Sequence, residues 1–188
     1  MLWLDKFHEE HMAIIRILPK LEGNLKDIEY GGAGQNVIWE LIEFATVIKN
    51  VLIPHFKEED LIVYPKAASV DENGKIFISG MYDEHKILYE AFDGFIKSIG
   101  DMPDKEKNLK HITAQIISTS KNINIEETPK NFNRSWPVQP LEGNIDKEAI
   151  LKYGYQIVQM LGEHIKKEET VVAELIKRAT DIKRQSTQ

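Results

Sequence analysis

Two short stretches of the 188-residue chain carry the same two side chains at the same separation: His55 with Glu59, and His164 with Glu168. On an α-helix, four residues advance about 6 Å and return to the same face, so each pair aims an imidazole and a carboxylate in one direction. A further histidine precedes each pair, His11 before the first and His85 before the second. The order His, His-x-x-x-Glu, His, His-x-x-x-Glu describes two helical hairpins, each offering two imidazoles and one carboxylate. Facing inward from four helices, His11, His55, Glu59, His85, His164 and Glu168 are the expected donors of a two-metal site in a bundle core.

A lone histidine on an apolar helix face is more often a core residue satisfied by one hydrogen bond. Four in register with two glutamates need another explanation, because an ionised glutamate inside a bundle costs several kcal/mol unless it is paired or metal-bound. The chain has no cysteine. That excludes disulfides, iron–sulfur clusters and thiolate zinc sites, and leaves nitrogen and oxygen donors suited to iron, manganese or zinc. Glu59 and Glu168 are placed to bridge two ions, each ion then holding about two histidines. Open positions would remain for an oxo or hydroxo bridge, water, dioxygen or nitric oxide.

The neighbouring carboxylates read differently. Glu58 and Glu169 stand about 100° from the bridging pair and are expected to be solvated. Glu10 and Glu84, each just before a histidine, are expected at the surface. Some carboxylate or carbonyl should hold the other ring nitrogen of each imidazole, but the sequence does not say which. His8, three residues before His11, is either a further ligand or a group at the mouth of the bundle, and the second is favoured. His111 lies outside the repeat and reads as exposed or locally bonded. Gly31-Gly-Ala-Gly34 joins two helices rather than following a strand, so it is a turn and not a phosphate loop.

Apolar periodicity predicts a helix over about 2–28, with Pro19 limiting or kinking it, and a second over about 35–68, bent at Pro54. Val70 to Lys75 reads as a turn centred on Asn-Gly, followed by a third helix over about 79–99. A further helix is expected at about 105–121. An irregular segment follows at 122–144, with a short strand pair at Ile123 to Glu126, before a last helix over about 146–182. Residues 183–188 read as a frayed polar tail. Short turns between long amphipathic helices give an all-α, up-down four-helix bundle with an extra helix and long loop inserted before the last helix. A formal net charge of −6 without a basic patch argues against nucleic acid and anionic membranes as partners. The N-terminus lacks a signal-peptide pattern, and the expected location is the cytoplasm.

Phe7-His-Glu-Glu-His11, His55-Phe-Lys-Glu-Glu59 with the following Val-Tyr-Pro65, Glu84-His85, and His164-Ile-Lys-Lys-Glu168 together resemble the hemerythrin family, in its branch of HHE cation-binding domains. The resemblance implies one hemerythrin-like domain over 1–188, with an insertion at about 101–145. It implies a centre of two non-haem iron ions held by His11, His55, Glu59, His85, His164 and Glu168. The stretch from His11 to Pro19 is also similar to the family's di-iron repair proteins, which carry an additional cysteine-containing domain. Oxygen-carrying hemerythrins place two histidines four apart on the third helix, whereas the positions four from His85 are Met81 and Tyr89. One nitrogen ligand is therefore missing unless His8 or Tyr89 replaces it. That difference implies oxygen or nitric oxide sensing, iron handling or peroxide chemistry rather than reversible oxygen carriage. Two other readings stay open: a di-iron enzyme acting on nitric oxide or peroxide, and a metal-free helical interaction module.

Overall fold

A computed structural model describes residues 2–31, 34–100 and 145–185. The expected helix at 105–121, the irregular segment with its strand pair, and His111 all lie outside the described residues. Among those described, the secondary structure is four long helices. These are α1 (Leu2–Glu29), α2 (35–68), α3 (Glu72–Ser98) and α4 (147–185). Each helix packs on its neighbours in chain order, and α4 closes the ring against α1. Neighbours run antiparallel: His11 of α1 lies beside Glu168 of α4, while Leu25 lies beside Gly154. This is the up-down bundle that the periodicity predicts.

The helix ends follow local chemistry. Gly31, with φ +82°, terminates α1 and donates its N–H to the Ile28 carbonyl. Gly100, with φ +79°, does the same for α3 through Lys97. Both are left-handed positions that glycine enters without steric cost. Asp146 caps α4 by accepting from the Ala149 N–H, and its own N–H donates to the Ser98 carbonyl, tying the start of α4 to the end of α3.

The beginning of α3 departs from the sequence reading. Asp71 to Lys75 is not a turn but the first turn of the helix. Asp71 is its N-cap and accepts from the Gly74 N–H at 2.7 Å. Gly74 is buried, and a Cβ there would stand 3.1 Å from the Ala67 carbonyl oxygen and 3.3 Å from Leu175 Cδ2. The glycine that suggested a turn is thus a close approach between helices.

The prolines are accommodated without ending a helix. α1 passes through Pro19 without a break. α2 widens into two π-helical turns, Ile48–Leu52 and Glu59–Val63, and Pro54 and Pro65 each follow after one intervening residue. A proline ring clashes with the carbonyl four residues back, and a wide turn moves that carbonyl aside. A third π turn, Glu168–Val172, interrupts α4 without any proline. Two of the three therefore begin at the glutamate of a His-x-x-x-Glu pair. π turns inside α-helices often mark functional positions.

Two apolar clusters fill the bundle. The larger includes Ile14, Leu52, Phe56, Leu88, Phe92, Phe95, Leu161 and Ile165. The smaller holds Phe7, Val63, Tyr64, Met81, Val172 and Ile176. His11, Glu59, His85 and Glu168 fall between the two: His11 lies between Phe7 and Ile14, Glu59 between Phe56 and Val63, His85 between Met81 and Leu88, and Glu168 between Ile165 and Val172.

Candidate metal centre

The structure brings all six expected donors together, and each is at most 4% exposed. They form two groups, His11, His55, Glu59 and Glu168, and Glu59, His85, His164 and Glu168. Within each group the donor atoms lie no more than 4.8 Å from one another. Glu59 and Glu168 belong to both. The imidazoles face inward through Nε2. His11 Nε2 is 3.3 Å from Glu59 Oε1 and 3.2 Å from Glu168 Oε2. His55 Nε2 is 3.1 Å from Glu59 Oε1, and His164 Nε2 is 3.3 Å from Glu168 Oε1. His85 Nε2 lies 2.9 Å from His164 Nε2.

Each outward Nδ1 meets a carboxylate on another helix. His11 bonds Glu169 at 2.6 Å, His55 bonds Glu10 at 2.8 Å, His85 bonds Asp60 at 2.7 Å and His164 bonds Glu84 at 2.9 Å. The expectation that Glu10, Glu84 and Glu169 are merely surface or solvated groups is therefore corrected. Each is a quarter to a third exposed, and each fixes an imidazole. The scheme repeats. The residue before the histidine of one hairpin's first helix holds the histidine of its second helix, as Glu10 does for His55 and Glu84 for His164. The residue after each shared glutamate holds the histidine that comes next around the ring, as Asp60 does for His85 and Glu169 for His11. Such partners set the tautomer and raise the basicity of a ligand imidazole. Glu58, by contrast, pairs with Lys6 at the surface, as expected.

Six carboxylates around four imidazoles make the interior strongly favourable to cations. Burial opposes a proton on His11, but Glu168 and Glu59 outweigh it and raise that histidine to about 10. His55 rises to about 9, with Glu10 and Glu59 overcoming burial. Burial likewise opposes His164, yet Glu168 and Glu84 raise it. His85 drops to about 4, because burial and the neighbouring His164 both disfavour its charge. Burial pushes Glu168 up, but His11 and His164 hold it well below the usual carboxylate range.

Three inward atoms test whether this interior fits a metal. His55 Nε2, Glu59 Oε2 and Glu168 Oε2 are buried and make no well-aligned hydrogen bond among the described residues. A buried polar atom left unpaired costs about 1–3 kcal/mol. These three belong to the donor groups and point into them, so the residues fit a metal centre.

His8 is exposed and bonds Glu169 at 2.8 Å. Met81 is part of the smaller apolar cluster. The Tyr89 hydroxyl is buried and makes no well-aligned hydrogen bond among the described residues, and its ring meets His85 edge-on at 6.2 Å. Tyr64, quoted above within Val-Tyr-Pro65 but not expected as a donor, is the residue that reaches the donors. Its hydroxyl lies 3.1 Å from His85 Nε2 and 3.3 Å from His164 Nε2, and it donates to Glu168 Oε1. In a π turn the residue five positions on, rather than four, stacks over the first. The turn opening at Glu59 thus returns Tyr64 to the inner face.

Fold and site together define a four-helix bundle with an interior able to bind metal. The hemerythrin HHE cation binding domain model matches residues 3–118, more than half of the chain, and the chain belongs to that family. The matched span stops short of His164 and Glu168, which the structure supplies from α4. No curated protein and no solved structure gives a significant match.

Proposed function

We propose that this protein holds two iron ions and binds a small diatomic ligand, oxygen or nitric oxide, on them. The observation that carries the proposal is the pair of four-residue groups sharing Glu59 and Glu168, with three of their buried donor atoms otherwise unpaired. His11 and His55 would hold one ion, His85 and His164 the other, and the two glutamates both. A donor set of nitrogen and oxygen suits iron, with manganese or zinc compatible. When bound, such a pair supplies electron transfer and open positions for a ligand.

The chain's own contribution is orientation and enclosure. Glu10, Asp60, Glu84 and Glu169 lock the imidazoles. Phe56 stacks on His85 with ring centres 4.0 Å apart. The donors are almost without exposure, which restricts access to small molecules and supports a diatomic ligand over a larger substrate. A metal-free interaction module gives no reason for buried carboxylates with unpaired oxygens.

Elemental analysis with optical spectra, oxidised and reduced, tests this reading on protein grown with iron. About two ions per chain and a spectrum that changes when oxygen or nitric oxide is added are expected. A content well below one ion per chain would refute it.

A further inference from the structure

Tyr64 has no exposed surface, and its oxygen stands within 3.3 Å of three donors of one metal group. Donors about 2.1 Å from one ion and at right angles to each other lie about 3 Å apart. The histidines and glutamates already obey that spacing: 2.9 Å between His85 and His164 Nε2, and 3.3 Å from His164 Nε2 to Glu168 Oε1. The phenol oxygen meets the same measure against His85 and His164 at once. It stands among the donors, whereas Glu84 and Asp60 stand behind the imidazoles on the far nitrogens.

We propose that Tyr64 is a further metal-ligating residue, its oxygen serving the ion held by His85, His164 and the two shared glutamates. The proposal rests on the two-ion reading above. When the oxygen takes this role its O–H bond breaks, an oxygen–metal bond forms and the proton passes to the buffer; no electron moves.

The internal repeat then makes the two positions unequal. Tyr64 follows Glu59 by five residues across a π turn, and the position five residues after Glu168, across the matching π turn, is Ala173. Alanine has no donor. The ion of His85 and His164 therefore gains a protein oxygen, while the ion of His11 and His55 keeps the equivalent place open. A ligand from solution would then be directed to the ion that His11 and His55 would hold.

Protein loaded with ferric iron provides the test. The wild type is expected to hold about two irons per chain, to absorb in the visible by phenolate-to-iron charge transfer, and to show phenolate vibrations in resonance Raman spectra excited there. Tyr64→Phe removes the band and the vibrations, read per iron retained, while helical circular dichroism stays; Tyr89→Phe leaves both signals. A wild type with two irons and no phenolate vibrations overturns this inference and leaves the two-ion reading standing. So does a signal that persists in Tyr64→Phe or vanishes in Tyr89→Phe. A wild type that takes up no iron overturns both. The wild-type spectrum decides by itself if Tyr64→Phe does not fold.

Discussion

Glu84 sits next to His85 in the chain but bonds His164, on the opposite side of the second hairpin, at 2.9 Å from its Nδ1. The same carboxylate also pairs with Lys167. Glu84 thus joins α3 to α4 where a donor must be held still; burial opposes its ionisation, but Lys167 and His164 outweigh burial and hold its carboxyl below the usual carboxylate range.

Removing that restraint should weaken the centre without abolishing it. Loss of an outer partner typically costs 10–100-fold in metal affinity. Glu84→Gln and its counterpart Glu10→Gln are each expected to weaken metal retention by about that factor, measured by chelator competition. Unequal losses, or none, would show that the two hairpins do not share the load.

The shared glutamates should behave more severely. Glu168→Ala deletes a donor from both groups, so metal content is expected to fall to well under half of the wild-type value. Glu58→Ala, at the surface beside Lys6, should leave it unchanged. Atomic emission on purified variants compares the two directly.

Acidity should oppose metal uptake in a defined direction. In the metal-free protein His11 and His55 keep a proton up to about 10 and 9, above the ordinary value near 6.5. Their folded values are raised, so the stabilisation is complete below about pH 6.5 and is lost as pH climbs through 9 and 10. Metal-free protein is expected to melt at lower temperature at pH 10 than at pH 7. Binding requires neutral imidazoles, so loading at pH 7.5 releases protons and apparent affinity rises with pH. Calorimetry in buffers of different ionisation enthalpy counts those protons; a count of zero at pH 7.5 contradicts the assignment.

Phe56 links core to site. Its ring is 1% exposed, stacks on His85 and lies 5.5 Å from Phe92. Phe56→Ala is expected to cost about 3–5 kcal/mol, read by urea denaturation of the metal-free form, and to loosen His85 enough to reduce metal retention. Full stability with metal lost, or the reverse, would separate the two roles.

The four helices and the six converging side chains were legible because both rest on one geometric fact, that residues three or four apart share a helix face. What escaped reading has equally definite causes. Glu10 and Glu84 point about 100° away from the adjacent histidine, which looks like solvent when one helix is considered and is the neighbouring helix when four are present. Asp71-Glu-Asn-Gly74 has the composition of a turn and of a helix start alike; only the tight packing of Gly74 on Ala67 and Leu175 selects the second. Tyr64 was hidden by the π turn after Glu59, since extrapolating a regular helix past that point loses phase.

Enclosure between two apolar layers has a kinetic side. With donors at most 4% exposed, an ion can arrive or depart only when part of the bundle opens transiently, and such local opening is governed by the stability of the segment that must give way. The smaller layer, resting on Phe7 near the start of α1 and on Val172 and Ile176 toward the end of α4, is the thinner barrier. Loading and loss of metal are therefore expected to be slow, temperature-sensitive processes whose pace is set by transient opening of those helix segments.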